Sequence, residues 1–210
     1  DDMKKKKGPT AYDSRASMAL SEEVAKNGYQ VYLTIGYHSA VLEKLLSVKG
    51  IFGGETTGHY YFPLEYYLFD DGLFASLKIA QIASETDDFN AFVKKLPKYF
   101  ASEEIFIDFS DKTKYQTVDK FTMMVKDRKY DVNDVDGSRI NFPNGWGIVR
   151  AANTSPFIKV KFEGRTPADL LDVSKKKTKR LIKNRMTERF GNRPKEIVTP
   201  EHFANYVYET

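Results

Sequence analysis

Along the first hundred residues, two hydrophobic patterns alternate. The short runs 10–14 (TAYDS), 29–35 (YQVYLTI) and 50–54 (GIFGG) are rich in β-branched and aromatic residues and bounded by turn formers, which predicts strands. The stretch 58–63 (GHYYFP) leads on from the last of them. Between the runs, a helix capped by Ser21 carries Val24 and Ala25 and stops at Gly28. A second helix, at 38–46, places Val41, Leu45 and Val48 on one side. Asp70 and Asp71 open a third, where their charge suits a helix N-terminus, with Leu73, Leu77 and Ala80 as its apolar face. Strands alternating with helices of this length predict an α/β domain with a mixed, largely parallel sheet.

The pattern then changes. Residues 84–98 (SETDDFNAFVKKLPK) mix polar positions with one short amphipathic stretch, and the domain boundary falls there, giving domains 1–95 and 96–210. Beyond it, a strand at 104–109, a helix at 112–126 and strands at 139–142, 145–149 and 157–164 are joined by the turns DVDGS, FPNG and AANTSP. A long basic helix at 166–190 follows, with Leu170, Val173, Leu181 and Met186 as its buried stripe. From about 195 an extension adds a short helix starting at Glu201. These elements predict an α+β domain with an antiparallel sheet packed by helices.

Composition narrows the function classes. A hydrophobic share of 41%, with 15 Phe and 13 Tyr, marks a folded chain rather than a disordered one. The net charge of +4 favours anionic partners without choosing among them. With no cysteine there is no disulfide frame, thiolate zinc site or cysteine nucleophile, and the three histidines lie far apart, against zinc chemistry. The lysine runs KKKK and KKKTKR lack interleaved aromatics and read as solvated faces, so no nucleic-acid partner is expected. No apolar run reaches the roughly 18 to 20 residues of a membrane span, and no signal-peptide pattern is seen, which predicts a cytoplasmic protein without a membrane partner. The chain opens at Asp1 rather than a methionine, so an upstream portion is expected.

Three stretches hold candidate chemistry. In GGETTGH (53–59), Glu55 supplies acceptors, Thr57 and His59 donate or accept, and the glycines allow close backbone approach, as a polyhydroxyl ligand requires. By residue type alone, a strand-to-strand turn with a satisfied histidine fits equally well. In VRAANTSPFIKVKF, Arg150 precedes a tight turn with Asn153 and Thr154, and Lys161 follows on a strand. That is a phosphate cradle, or a hairpin with solvated charges. Arg15 and Ser17 sit where a strand gives way to a helix, and His38 opens a helix after Gly36, the edge at which α/β sheets bind ligands. The acidic stretch DVNDVDG (131–137) lacks the closing glutamate of a calcium loop and reads as a hairpin turn.

Taken in order, DSRAS, YHS, GGETTGH, FDDG and RAANTSP resemble the C-terminal half of the α-D-phosphohexomutases, in the phosphomannomutase/phosphoglucomutase branch. The resemblance spans the chain to about residue 190. GETTGH looks like the family's sugar loop and RAANTSP like its phosphate loop. It implies the third and fourth domains of a four-domain enzyme, the last TATA-binding-protein-like, that interconverts hexose 1- and 6-phosphates through a 1,6-bisphosphate. It further implies that Glu55, Thr57, His59, Arg15 and His38 meet the sugar. Arg150, Asn153, Thr154 and Lys161 would grip the phosphate not transferred.

Some positions depart from the family pattern. Ala152 replaces a usual serine, Lys161 a common arginine and Tyr37 a usual glycine, while Thr57 keeps the hydroxyl of the usual serine. Asn153 departs from the glycine of the phosphoglucosamine branch. The family's phosphoserine loop and magnesium loop have no counterpart in this sequence. The resemblance therefore implies Mg2+ held by a domain outside this chain, the enzyme's N-terminal domains as partners in a monomer or dimer, and no catalysis by this chain alone. A non-catalytic sugar-phosphate-binding module is the alternative.

Overall fold

The structure, a computed structural model, describes residues 8–174 and divides the chain into two compact units, Asp1–Lys98 and Tyr99–Thr210. The lysines at 4–7, the KKKTKR run, Leu181, Met186 and the helix expected from Glu201 lie outside the described residues. Among the described residues no helix is long and apolar enough to cross a membrane.

In the first unit the strands are β1 (Thr10–Asp13), β2 (Val31–Thr34), β3 (Phe52–Gly54) and β4 (Tyr60–Tyr61), arranged β2-β1-β3-β4. β1 runs parallel to both β2 and β3, and only β4 is antiparallel, so the sheet is mixed and largely parallel as predicted. Alternation along β1 feeds both faces. Ala11 packs with Val41 and Leu45 of helix α2 (His38–Val48), and Tyr12 packs with Val24 of helix α1 (Met18–Lys26). The chain leaves β1 toward β2 on one side and returns through α2 to β3 on the other. The C-terminal end of β1 is therefore the point where strand order reverses, which opens a crevice at the sheet edge.

Helix boundaries obey local chemistry. α1 is capped by Ser17, whose Oγ accepts from the Ala19 amide at 3.1 Å; the helix begins one turn before the expected Ser21 cap because Ser17 already satisfies its first amides. α2 ends at Lys49 in the left-handed conformation (φ 52°), with the Gly50 amide donating to the Leu45 carbonyl at 2.7 Å. Helix α3 (Gly72–Ser84) is capped by Asp71, which accepts from Leu73 and Phe74 amides. Its expected apolar face is corrected: Leu73 is 80% and Leu77 67% exposed. The helix is apolar on two sides, so periodicity does not choose between them. Phe74 turns inward instead, stacked 4.2 Å from the Tyr66 ring and edge-on to Phe62. The boundary segment contains a short helix α4 (Phe89–Lys94), capped by Asp88.

The second unit is antiparallel throughout. Strands β5 (Phe100–Ala101), β6 (Ile105–Asp108), β7 (Asp131–Asn133), β8 (Ser138–Phe142), β9 (Gly145–Ala151) and β10 (Phe157–Gly164) form one sheet in which β10 pairs with β5, β6 and β9. Helix α5 (Lys114–Asp127) lays Val118, Phe121 and Val125 on Ile140, Val149, Val160 and Phe162 of that sheet. The described start of the predicted 166–190 helix, α6 (Pro167–Leu171), adds Leu170 to this core, joined by Val173 just beyond it. On the other face, Trp146 Nε1 donates to Glu163 Oε2 at 2.7 Å, and the Arg139 guanidinium lies 4.1 Å above the indole. This buried polar layer fixes the register of β9, which carries Arg150.

Gly53 is required by close approach. A Cβ there would lie 2.6 Å from Leu45 Cδ1 and 2.9 Å from both the Ala11 carbonyl and Val41 Cγ1. Gly53→Ala is expected to destabilise the first unit by about 1–3 kcal/mol, as overpacking of a filled core does. A lowered urea midpoint for that unit's unfolding checks it.

Candidate functional site

The C-terminal ends of three parallel strands each deliver one candidate side chain. β1 runs into Arg15, β2 into the turn that starts α2 at His38, and β3 into Glu55. The loop between antiparallel β3 and β4 is a tight turn, with the Gly58 amide donating to the Glu55 carbonyl (3.0 Å) and the Glu55 amide to the His59 carbonyl (2.9 Å). Gly58 adopts φ +92°, which favours glycine. The stretch is thus a strand-to-strand turn in geometry, and its side chains are gathered rather than solvated singly.

Asp13 holds this arrangement. Its carboxylate is fully buried and accepts from the Arg15 amide (2.7 Å), Arg15 Nε (3.1 Å), the Thr56 amide (2.6 Å) and Thr56 Oγ1 (2.9 Å). Burial alone would raise its pKa. The Thr56 amide, the charge on Arg15 and the Arg15 hydrogen bonds outweigh burial and hold the carboxyl below its ordinary value. Arg15, so fixed, lies 3.8 Å from Glu55 Oε2, to which Thr57 Oγ1 donates at 3.0 Å. Glu55 is 6% exposed, and its Oε1 is buried with no hydrogen-bond partner among the described residues.

His59 completes the cluster from β4's edge. Its Nδ1 pairs with Asp70 Oδ2 at 2.5 Å, and its ring lies 6.0 Å from that of His38. The hydrogen bond that His59 donates to Asp70, reinforced by the charge on Asp70 and that on Glu55, raises the His59 pKa against the opposing effect of burial. Tyr61 donates to the His38 backbone carbonyl at 3.0 Å and so anchors the first turn of α2. The five residues predicted to meet the sugar, Arg15, His38, Glu55, Thr57 and His59, thus meet in one unit. Asp13 and Asp70 are the organising carboxylates that sequence reasoning missed. For Asp13 the signal was present: a lone acid closing a strand otherwise made for burial.

The second cluster surrounds the turn between β9 and β10. Arg150, 5% exposed, leaves β9 just before the loop, and its Nη1 donates to Asp136 Oδ2 at 2.6 Å. The loop is closed by the Ala152 amide donating to the Phe157 carbonyl (2.9 Å) and the Phe109 amide to the Pro156 carbonyl (2.8 Å). Lys114, buried at the start of α5, donates from Nζ to the Ser155 carbonyl at 2.8 Å and pairs with Asp111. Asn153 and Thr154 are exposed at the tip. Lys161 sits opposite Ile148 on β10, while Lys159 is the residue opposite Arg150. Lys161 is therefore a diagonal neighbour of Arg150 on the same sheet face rather than its direct partner.

Comparison with known proteins follows the same division. The family domain described as phosphoglucomutase/phosphomannomutase, alpha/beta/alpha domain III, matches residues 1–100, and the C-terminal domain of the same family matches residues 85–177. A phosphomannomutase/phosphoglucomutase of Pseudomonas putida is 28% identical over 164 residues, 76% of this chain and 35% of the relative. A phosphoglucomutase/phosphomannomutase of Thermococcus kodakarensis is 30% identical over 158 residues, 72% of this chain and 33% of the relative. The chain spans about a third of the length of these curated relatives. Among solved structures, a phosphoglucomutase/phosphomannomutase family protein from Burkholderia thailandensis has the same fold, with a TM-score of 0.78 at 23% identity over 93% of this chain and 40% of that one. An Aspergillus fumigatus N-acetylphosphoglucosamine mutase in complex with glucose 1,6-bisphosphate gives 0.58 at 11% identity over 88% of this chain and 39% of that one.

Two outcomes follow from the geometry. Protonated His59 is favoured by Asp70, so that pair's contribution is complete below the ordinary histidine pKa of about 6.5 and fades as pH rises through the raised one. Asp70→Asn is expected to move the His59 titration downward, read from its imidazole NMR shifts. Asp13→Asn removes the charged acceptor shared by Arg15 and Thr56 and is expected to cost about 3 kcal/mol in urea unfolding, as breaking a buried pair does. The Asp13 contribution is present above the ordinary carboxylate pKa and is lost as pH falls through the lowered one.

Proposed function

The chain belongs to the α-D-phosphohexomutase family as its C-terminal half, in the phosphoglucomutase/phosphomannomutase branch, and we propose that it supplies the sugar- and distal-phosphate-recognising part of an enzyme that interconverts hexose 1-phosphate and hexose 6-phosphate. The observation that carries this reading is Glu55 Oε1. A buried carboxylate oxygen without a donor is costly, and sugar hydroxyls are donors of the right kind. With Arg15 beside it and Thr57 on its other oxygen, Glu55 is turned to accept from a ring hydroxyl. His59 and His38 bound the same site and add imidazole nitrogens to it.

Arg150 takes the phosphate that is not transferred, as a planar guanidinium suited to phosphate oxygens, and the exposed Asn153 and Thr154 close on it from the loop tip. Lys161 contributes a point charge on the same sheet face. The contribution of this chain is orientation: the first unit supplies contacts suited to sugar hydroxyls and the second contacts suited to phosphate oxygens, and fixing a bound substrate lowers the entropy cost of a reaction. Magnesium belongs to the chemistry of this family, and among the described residues no group of three or more His, Asp or Glu side chains could hold a metal ion. The donors gathered in these two clusters do not fit a metal site, and the roles proposed for them are recognition and positioning.

Calorimetric titration of the chain with glucose 6-phosphate and with inorganic phosphate tests the division of roles. Arg150→Ala is expected to weaken both ligands by about tenfold or more, the loss of a charged hydrogen bond. Glu55→Gln is expected to weaken glucose 6-phosphate by a similar factor and leave inorganic phosphate unchanged. Equal effects of Glu55→Gln on the two ligands would sink the assignment.

A further inference from the structure

The acidic turn 134–137, between β7 and β8, has no part in the function so far, yet it reaches Arg150 directly. Ser138 is paired with Val149, so Gly137 lies against β9 at Arg150. Gly137 has φ +79°, and a Cβ built there would lie 2.4 Å from the Val149 carbonyl oxygen and 2.9 Å from Arg150 Cα. Only glycine lets the turn come this close and adopt this backbone. The contact delivers Asp136: its side chain is 8% exposed against 6% for Arg150, and the two are 2.6 Å apart. At its other end the turn is held by Lys126 of α5, paired with Asp134.

We propose that Asp136 is a positioning residue for phosphate recognition: it takes Nη1 of Arg150 and so fixes the plane of the guanidinium at the base of the 152–156 loop. Arg150 Nε, on another edge of the planar fork, is buried and has no hydrogen-bond partner among the described residues. A guanidinium pinned at one nitrogen cannot rotate to satisfy the others internally. It keeps its remaining donors aimed in one direction, ready for an acceptor that binds from outside. The role runs against simple electrostatics. A carboxylate so near a phosphate site repels a phosphate dianion, so its presence weakens binding unless orientation gains more than repulsion costs.

That opposition of signs makes the inference testable, and it rests on the reading of Arg150 as a phosphate contact. The full chain is titrated with inorganic phosphate, and the Arg150 Nε–H resonance is followed by 15N-edited NMR without ligand. Asp136→Ala is expected to broaden or lose that resonance and to weaken phosphate about tenfold. Asp136→Asn keeps an acceptor oxygen and drops the charge, and is expected to keep the resonance and stay within about threefold of the parent affinity. Tighter phosphate binding by Asp136→Ala, or an unchanged affinity, overturns the proposal and leaves only repulsion. An Nε–H resonance unaffected by Asp136→Ala overturns it as well. If the parent chain and Arg150→Ala both fail to bind phosphate while the resonance depends on Asp136, the phosphate reading fails and the positioning stands.

Discussion

The cluster of polar side chains in the first unit depends on one buried carboxylate. Asp13 ends the central strand of a parallel sheet at the point where strand order reverses, and it is fully buried there. Such a charge is tolerable only if hydrogen-bonded, and four donors from two separate segments meet it. Two come from Arg15, the next turn of its own chain; two come from Thr56, more than forty residues on. The loop and the arginine are thereby locked to one another through the sheet rather than through each other. Glu55 and Thr57 flank Thr56, so fixing its amide and hydroxyl fixes the backbone on both sides. The candidate acid and hydroxyl are held by a residue that need not touch a ligand.

The same device recurs in the Arg150 cluster of the second unit with the charges exchanged. There a buried cation, Arg150, is held by a buried anion delivered by a glycine turn, and a buried lysine holds the loop that follows. In both clusters a tight turn with a left-handed glycine, Gly58 or Gly137, brings a short segment close enough to make the polar contact. In each, a buried side chain keeps one atom without a hydrogen-bond partner among the described residues, Glu55 Oε1 in one and Arg150 Nε in the other. Much of the cost of ordering and desolvating these groups is therefore met when the protein folds, which is the preorganisation that the proposed recognition needs.

How much of this was legible in the sequence depends on the range of the interaction. Elements set by local periodicity, such as β1, α2, α5 and β10, were readable because their apolar positions repeat at the spacing the element needs. The α3 face was not: Leu73 and Leu77 repeat correctly, but Phe74 has aromatic partners in 62–66 that no local pattern reveals. The Ser21 cap failed for a similar reason, since Ser17 was an equally good cap and the end of β1 decided between them. At the site, residue types marked Glu55, Thr57, His59 and Arg150 as candidates. They could not mark Asp70 or Asp136, whose importance lies in partners brought to them by tertiary contacts, and Asp13 was signalled only as an acid ending a strand made for burial, without its partners in Arg15 and Thr56. Lys161 shows the converse: counting along β10 brings it near the loop, while strand register sets Lys159 opposite Arg150.

The unsatisfied atoms also constrain how stability and recognition relate. A buried acceptor or donor left unpaired destabilises the folded state, and a ligand that pairs it returns that free energy on binding. Giving Glu55 Oε1 and Arg150 Nε internal partners would stabilise each unit and remove the basis of the proposed polar contacts. Exposing them would remove the cost and, with it, most of the discrimination, because water would satisfy them as well as a sugar hydroxyl or a phosphate oxygen does. The burial of both groups beside the residues that fix them, while one atom of each lacks a hydrogen-bond partner among the described residues, is the intermediate arrangement on which the proposed sugar contact of the one and phosphate contact of the other depend.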